Sequence, residues 1–193
     1  MTSPARPLRA DARRNREALL TAAGDLLGER GDDVQIEEIA ARAGVGVGTL
    51  YRHFADKDAL VAAIVGRRFA AATDLARAAE ELPDADAAFT ALLDGYLESV
   101  AGDSAFRRAL LGPEEPRWEA ISAEKTAFRE VVSRIVERAV RESVLREDFG
   151  ADDFILVTRG AMANMGENED WRRHVRLQLE GVRPRPSAPA PSA

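Results

Sequence analysis

Residues 36–64 read IEEIAARAGVGVGTLYRHFADKDALVAAI, and this stretch decides the fold. Ile36, Ile39 and Ala40 mark the buried face of a short helix over Ile36–Ala43, which stops at Gly44. After the turn Gly44-Val45-Gly46, Leu50 and Phe54 stand four residues apart and give a second short helix, Val47–Phe54, its one apolar ridge. Two such helices joined by a glycine turn and laid on a preceding helix form a helix-turn-helix, whose second helix is suited to a DNA major groove. With Leu50 and Phe54 turned inward, Thr49, Arg52 and His53 fall on the opposite face and Tyr51 on its flank. Side chains of this kind hydrogen-bond phosphate oxygens and base edges, and an arginine can fork onto the O6 and N7 of guanine. Lys57, just beyond, is placed for a phosphate. A helical hairpin with a merely solvated polar face shows the same bare pattern.

Outward from this stretch the periodicity stays helical. A helix over Asn15–Arg30 buries Leu19, Ala22, Ala23, Leu26 and Leu27 and ends at Gly31. Asp56 caps a long fourth helix, in which Val61, Val65, Phe69, Ala72, Leu75, Ala79 and Leu82 recur at threes and fours until Pro83. Two helices closed by Gly102 and Gly112 follow, then a long one over Trp118–Arg146 burying Phe128, Val132, Ile135 and Ala139. Ala151–Asn164 and Asp170–Gly181 complete an all-α chain of about nine helices with no hairpin-flanked strand pattern. Six of the nine prolines lie near the ends. The expected organisation is a disordered basic arm 1–12, a helix-turn-helix domain 13–58, a helical body 59–181 and a disordered Pro-rich tail 182–193.

Composition narrows the function. The 193 residues carry a net charge of -6 and include no cysteine, which excludes disulfides, thiol nucleophiles and thiolate metal sites. The charge is uneven. Residues 1–24 sum to +3 and residues 61–193 to -5, so a polyanion is expected at the amino-terminal end. Arg13, Arg14 and Arg16 are the arm's best candidates for the phosphate backbone or minor groove, against the reading of a solvated charged tail. The longest apolar run, LVAAIV at 60–65, is too short to cross a bilayer, and a cytoplasmic location without membrane partners is expected.

The same stretch closely resembles the DNA-binding signature of the TetR family of bacterial transcriptional regulators, of the form IA-x-x-AGVS-x-GTLYxHF-x-x-K-x-x-L. The resemblance covers roughly residues 13–66, about a third of the chain. It implies that Tyr51 and Lys57 grip phosphates, that Thr49 and His53 contact backbone or bases, and that Val47, Gly48 and Arg52 govern operator choice. The family's serine cap is Gly46 here, the polar residue after it is Val47, the aromatic after the first-helix glycine is Asp32, and the threonine that starts the second helix is Gln35. Gly46 still caps, Val47 suits a thymine methyl, and Gln35 can reach a phosphate.

What the resemblance implies for 59–181 is a regulatory and dimerisation domain that binds a small-molecule effector and pairs through its last two helices. Phe69, Tyr96, Phe106 and Trp118 are the candidate pocket residues, although their helical spacing equally suits a core. Phe154, Leu156, Val157, Ala161, Trp171, Val175 and Leu179 are the candidate dimer seam, with Gly160 and Ala161 allowing close helix approach. The expected function is a homodimeric repressor released from a palindromic double-stranded DNA operator by its effector, the alternative being a helical metabolite-binding or adaptor protein. Catalytic residues, cofactors and metals are not expected. Gly44, Gly46 and Gly48 do not make GxGxxG, no P-loop, GxSxG or HExxH is present, and His174 sits among Arg172, Arg173 and Arg176. The paired acids Glu80-Glu81 and Asp152-Asp153 fall at helix ends, where capping explains them.

Overall fold

Aspartate side chains start four helices. Asp56, Asp84, Asp103 and Asp170 each accept a hydrogen bond from the backbone N–H three residues on, at 2.7, 2.7, 2.9 and 2.9 Å. Each supplies one of the partners that the first turn of a helix lacks. The computed structural model describes residues 5–112, 116–166 and 170–184, excepting the side chains of 5–9, 32 and 116–118. Nine α-helices and no strand occur among them: α1 (Ala5–Arg30), α2 (Ile36–Arg42), α3 (Val47–His53), α4 (Lys57–Glu80), α5 (Ala85–Ala101), α6 (Ser104–Leu111), α7 (Ser122–Arg141), α8 (Ala151–Ala163) and α9 (Trp171–Val182). Short 3-10 turns cover Gly31–Asp33 and Pro116–Ile121.

The chain forms two compact units. The first takes the described residues up to Ala70 together with Asp103–Lys125, and so reaches beyond the expected boundary at 58. Within it α1 packs against α2, α3 and α6. Its buried side chains include Leu19, Leu20, Leu26, Leu27, Ile39, Leu50, Phe54, Leu60, Phe69 and Phe106. The carboxy-terminal carbonyls of α1 are taken up by α6: Ser104 Oγ donates to Gly28 O at 2.9 Å, and the Arg108 guanidinium donates to Leu27 O and Gly28 O. That satisfies acceptors a helix end leaves open.

The second unit holds Ala71–Gly102 and the described residues from Thr126 on. An aromatic cluster fills it: Phe89 meets Phe149 and Phe154 edge-on with centroids 6.0 and 6.4 Å apart, and Tyr96 lies 5.0 Å from Phe128 and 6.0 Å from Phe154. Burial pushes the Tyr96 hydroxyl well above its ordinary range. The end of α4 is closed by α7. Arg138 donates to Glu80 O and Leu82 O at 3.2 and 2.9 Å, and Arg134 forks onto the Glu80 carboxylate at 2.6 and 3.0 Å. That hydrogen-bonded pairing holds the Glu80 carboxyl below its usual value.

Several boundaries differ from the sequence reading. Helix α1 begins ten residues before Asn15, so residues 5–12, expected as a disordered arm, are helical from Ala5. Pro7 does not prevent this, since it sits in the first turn, where its missing N–H has no partner to lose. Helix α7 starts at Ser122, after a 3-10 turn, and stops at Arg141 instead of running from Trp118 to Arg146. There Ser143 takes φ 59° while Val144 and Leu145 donate back to Ala139 O, and no glycine announces the turn. Leu82 is exposed because α4 ends at Glu80. The expected tail from 185 on lies outside the described residues, as do residues 1–4 of the arm.

Candidate nucleic-acid interface

The turn between α2 and α3 depends on one of its two glycines. Gly44 has φ +69°, and Val45 N–H closes the end of α2 on Ala40 O at 3.0 Å. That left-handed conformation disfavours any Cβ. Gly46 caps α3 through its extended backbone, with Thr49 N–H on Gly46 O at 2.8 Å and no side-chain cap, as the missing serine implies. Neither Gly46 nor Gly48 needs to be glycine for the fold, because a Cβ at either would meet nothing within 4 Å.

Helix α3 is fastened by Leu50, fully buried, and by Phe54 at its carboxy-terminal cap, 4% exposed. The other side faces solvent. Tyr51 is 51% exposed, Arg52 and Gly48 are exposed, and Val47, Thr49 and His53 are half-buried. Arg52 Nη2 donates to Thr49 Oγ1 at 2.8 Å. Lys57, half-buried, opens α4 three residues after Phe54. Residues 47–53 therefore present one polar ridge about two turns long, the size of element that a major groove admits.

The flanking candidates are placed less uniformly. Gln35 is the N-cap of α2, but its backbone N–H donates to Glu38 at 2.9 Å and its amide Nε2 to Asp33 O at 3.1 Å. Glu38 in turn accepts from both Nη atoms of Arg30 at 2.8 and 3.1 Å, an exchange that lowers its pKa and raises that of Arg30. The side chain expected to reach a phosphate is thus already engaged beside a carboxylate. Arg13 and Arg14 are exposed on α1, with Arg14 paired to Asp11. Arg16 lies over the Phe54 ring at 5.2 Å, a cation–π contact that ties α1 to the end of the recognition helix.

The candidates in the body divide. Phe69 and Phe106 meet edge-on, 5.5 Å apart, in the first unit, whereas Tyr96 belongs to the aromatic cluster of the second, and the Trp118 side chain lies outside the described residues. A groove of about 360 Å³ in the second unit is lined instead by Glu80, Arg134, Ile135, Glu137, Arg138 and Arg141. Of the expected dimer seam, Phe154, Ala161 and Val175 are covered by this chain itself, at 1, 0 and 4% exposure. Gly160 likewise serves the contact of α8 with α9, where a Cβ would stand 3.3 Å from Gln178 Nε2 and 3.4 Å from His174 Nε2. Leu156 is open, Val157, Trp171 and Leu179 are half-buried, and Ile155 and Leu177 are exposed apolar residues that the sequence reading passed over. Their place, one residue after Phe154 and two after Val175, and so off the buried stripe, was the available signal.

Fold and ridge together define a helix-turn-helix DNA-binding domain carried on a helical body. The model of bacterial regulatory proteins of the tetR family matches residues 19–64. An HTH-type transcriptional regulator of Staphylococcus aureus is 46% identical over 66 residues, 33% of this chain and 34% of that protein, so the match spans about a third of the relative's length. Over the whole length, the structure of a TetR transcription regulatory protein from Mycobacterium vanbaalenii is 32% identical, with 92% of this chain and 99% of that one covered and a TM-score of 0.65. The chain belongs to the TetR family. The transcriptional regulator FadR from Bacillus subtilis, solved in complex with stearoyl-CoA, shares the fold at 15% identity, covering 85% of this chain and 95% of its own, with a TM-score of 0.70. Among the described residues no helix is long and apolar enough to cross a membrane.

The glycines give a prediction that separates folding from contact. Gly44→Ala destabilises the protein by about 1–2 kcal/mol through the left-handed backbone. Gly48→Ala leaves the melting temperature unchanged or raises it, and weakens duplex binding by placing a methyl on the ridge. Thermal melts and a binding titration of both variants check this; a Gly48→Ala protein that melts early and binds normally reverses it.

Proposed function

We propose that the protein is a cytoplasmic, homodimeric transcriptional repressor that holds a palindromic operator with two copies of α3 and releases it when a small-molecule effector binds the helical body. The observation that carries this reading is the division of α3 into a buried Leu50 and an outward ridge of Gly48, Thr49, Tyr51, Arg52 and His53. One such ridge reads too few base pairs to be selective, so two copies facing half-sites about one helical turn apart are required. Tyr51 and Lys57 grip phosphates and Arg52 reads a base. Helix α4 is unbroken from Lys57 to Glu80 and joins the end of the recognition helix to the body. Effector and operator oppose one another by linkage: an effector that loosens DNA by a given factor is itself bound more weakly by the operator complex by the same factor.

Selection of bound sequences from a random duplex library tests the reading. The expected product is a two-fold symmetric site. Enrichment of no sequence overturns the reading in favour of a metabolite-binding or adaptor protein whose helix-turn-helix is scaffold. On the selected site, Tyr51→Phe with Lys57→Ala weakens binding and lowers the slope of log affinity against log salt by about one for each phosphate the variant no longer neutralises. An unchanged slope shows that Lys57 does not face the backbone, and unchanged affinity shows the same of Tyr51.

A further inference from the structure

An exposed arginine on a short helix is an imprecise reader. Its side chain has several rotatable bonds, and fixing it on a base edge loses rotamer freedom at the moment of binding. In this structure Arg52 is already fixed. Its Nη2 donates to Thr49 Oγ1 at 2.8 Å, one helical turn back along α3. The acceptor is itself stiff, because a β-branched side chain in a helix has few χ1 positions and a half-buried threonine has fewer. One Nη2 hydrogen is used on Thr49, and the remaining hydrogens keep the planar fork available to a guanine.

We propose that Thr49 is a positioning residue for Arg52: its hydroxyl holds the guanidinium in reading geometry before DNA arrives, and so sets base preference at the Arg52 position without itself choosing the base. This rests on the DNA-binding reading above and departs from the role the family resemblance gives Thr49, a contact of its own with backbone or bases. The two roles differ in their coupling. A residue that acts through Arg52 matters only while Arg52 is present. A residue with its own contact matters in either background.

The test uses the full-length protein, its selected duplex and duplexes mutated at each half-site position. Thr49→Val keeps the shape and removes the hydroxyl. It lowers affinity for the preferred duplex by about threefold to tenfold, and flattens base preference at the one position that Arg52→Ala also flattens. Thr49→Ser restores both, since a hydroxyl at the same place suffices. In the Arg52→Ala background, Thr49→Val has no further effect. A second loss in that background shows a direct contact and overturns the proposal. So does a Thr49→Val protein that binds and discriminates like the wild type. Failure of the wild-type protein to select any duplex is a different result, because it removes the DNA-binding reading itself and this proposal with it. Far-ultraviolet circular dichroism of each variant keeps loss of α3 distinct from loss of positioning.

Discussion

Changing Leu156 and Leu177 together to glutamate yields a monomer that keeps its fold and loses its operator. Both leucines are large apolar side chains left open to solvent, at 70 and 58% exposure, on two helices that pack against each other. Neither supports the interior from that position, so charging them costs the folded chain little. It costs an association of two chains a great deal, because unpaired carboxylates would be buried in the seam. Losing the second copy turns a bivalent grip into a single half-site contact, and operator affinity falls by about 10²–10⁴-fold. Light scattering and a binding titration on the same sample check this. A double variant that stays dimeric places the seam elsewhere, and a monomer with undiminished affinity shows that one copy suffices.

Phe154→Ala has the opposite character. Phe154 was expected on that seam, yet it is 1% exposed and its ring meets Phe89 and Tyr96. Truncation leaves a cavity where an aromatic filled the second unit, and the expected loss is about 3–5 kcal/mol. Equilibrium unfolding in denaturant measures it. If Phe154→Ala instead leaves stability intact and shifts the protein to monomer, the ring belongs to the seam and not to the interior.

Phe154 and Leu156, both expected on the seam, part company in the structure, the first buried and the second open, and this shows where a sequence pattern stops being informative. Helix α8, ADDFILVTRGAMA, is apolar over much of its circumference, so periodicity marks it as a helix without saying which stripe faces inward. Only packing chooses between Phe154 and Leu156. The helix-turn-helix was readable because its signals are local: Gly44 stops α2, Asp56 caps α4, and Leu50 with Phe54 leaves a single way to lay α3 down between them. The early start of α1 was hidden by Pro7, which breaks a helix anywhere but in its first turn. The end of α7 was hidden because Ser143 holds a positive φ that glycine or asparagine usually signals. Arg16 and Gln35 were readable as polar and near the ridge; that one is laid on Phe54 and the other hydrogen-bonded to Asp33 depends on neighbours brought in by folding.

Of the seven residues of α3, Leu50 is the buried one. The helix is held from below by that leucine and from its end by Phe54, while Gly48, Tyr51 and Arg52 stay exposed. Where the residues that choose a partner also carry the structure, a change of partner costs stability. On the proposed reading the two duties are separated along about two turns of backbone. On the proposed DNA-binding role of α3, copies of this regulator that arise by gene duplication drift to new target sites by single substitutions at exposed positions such as 48 and 52 without leaving the folded population. The same separation makes α3 a replaceable reading head for laboratory evolution of mutually orthogonal genetic switches.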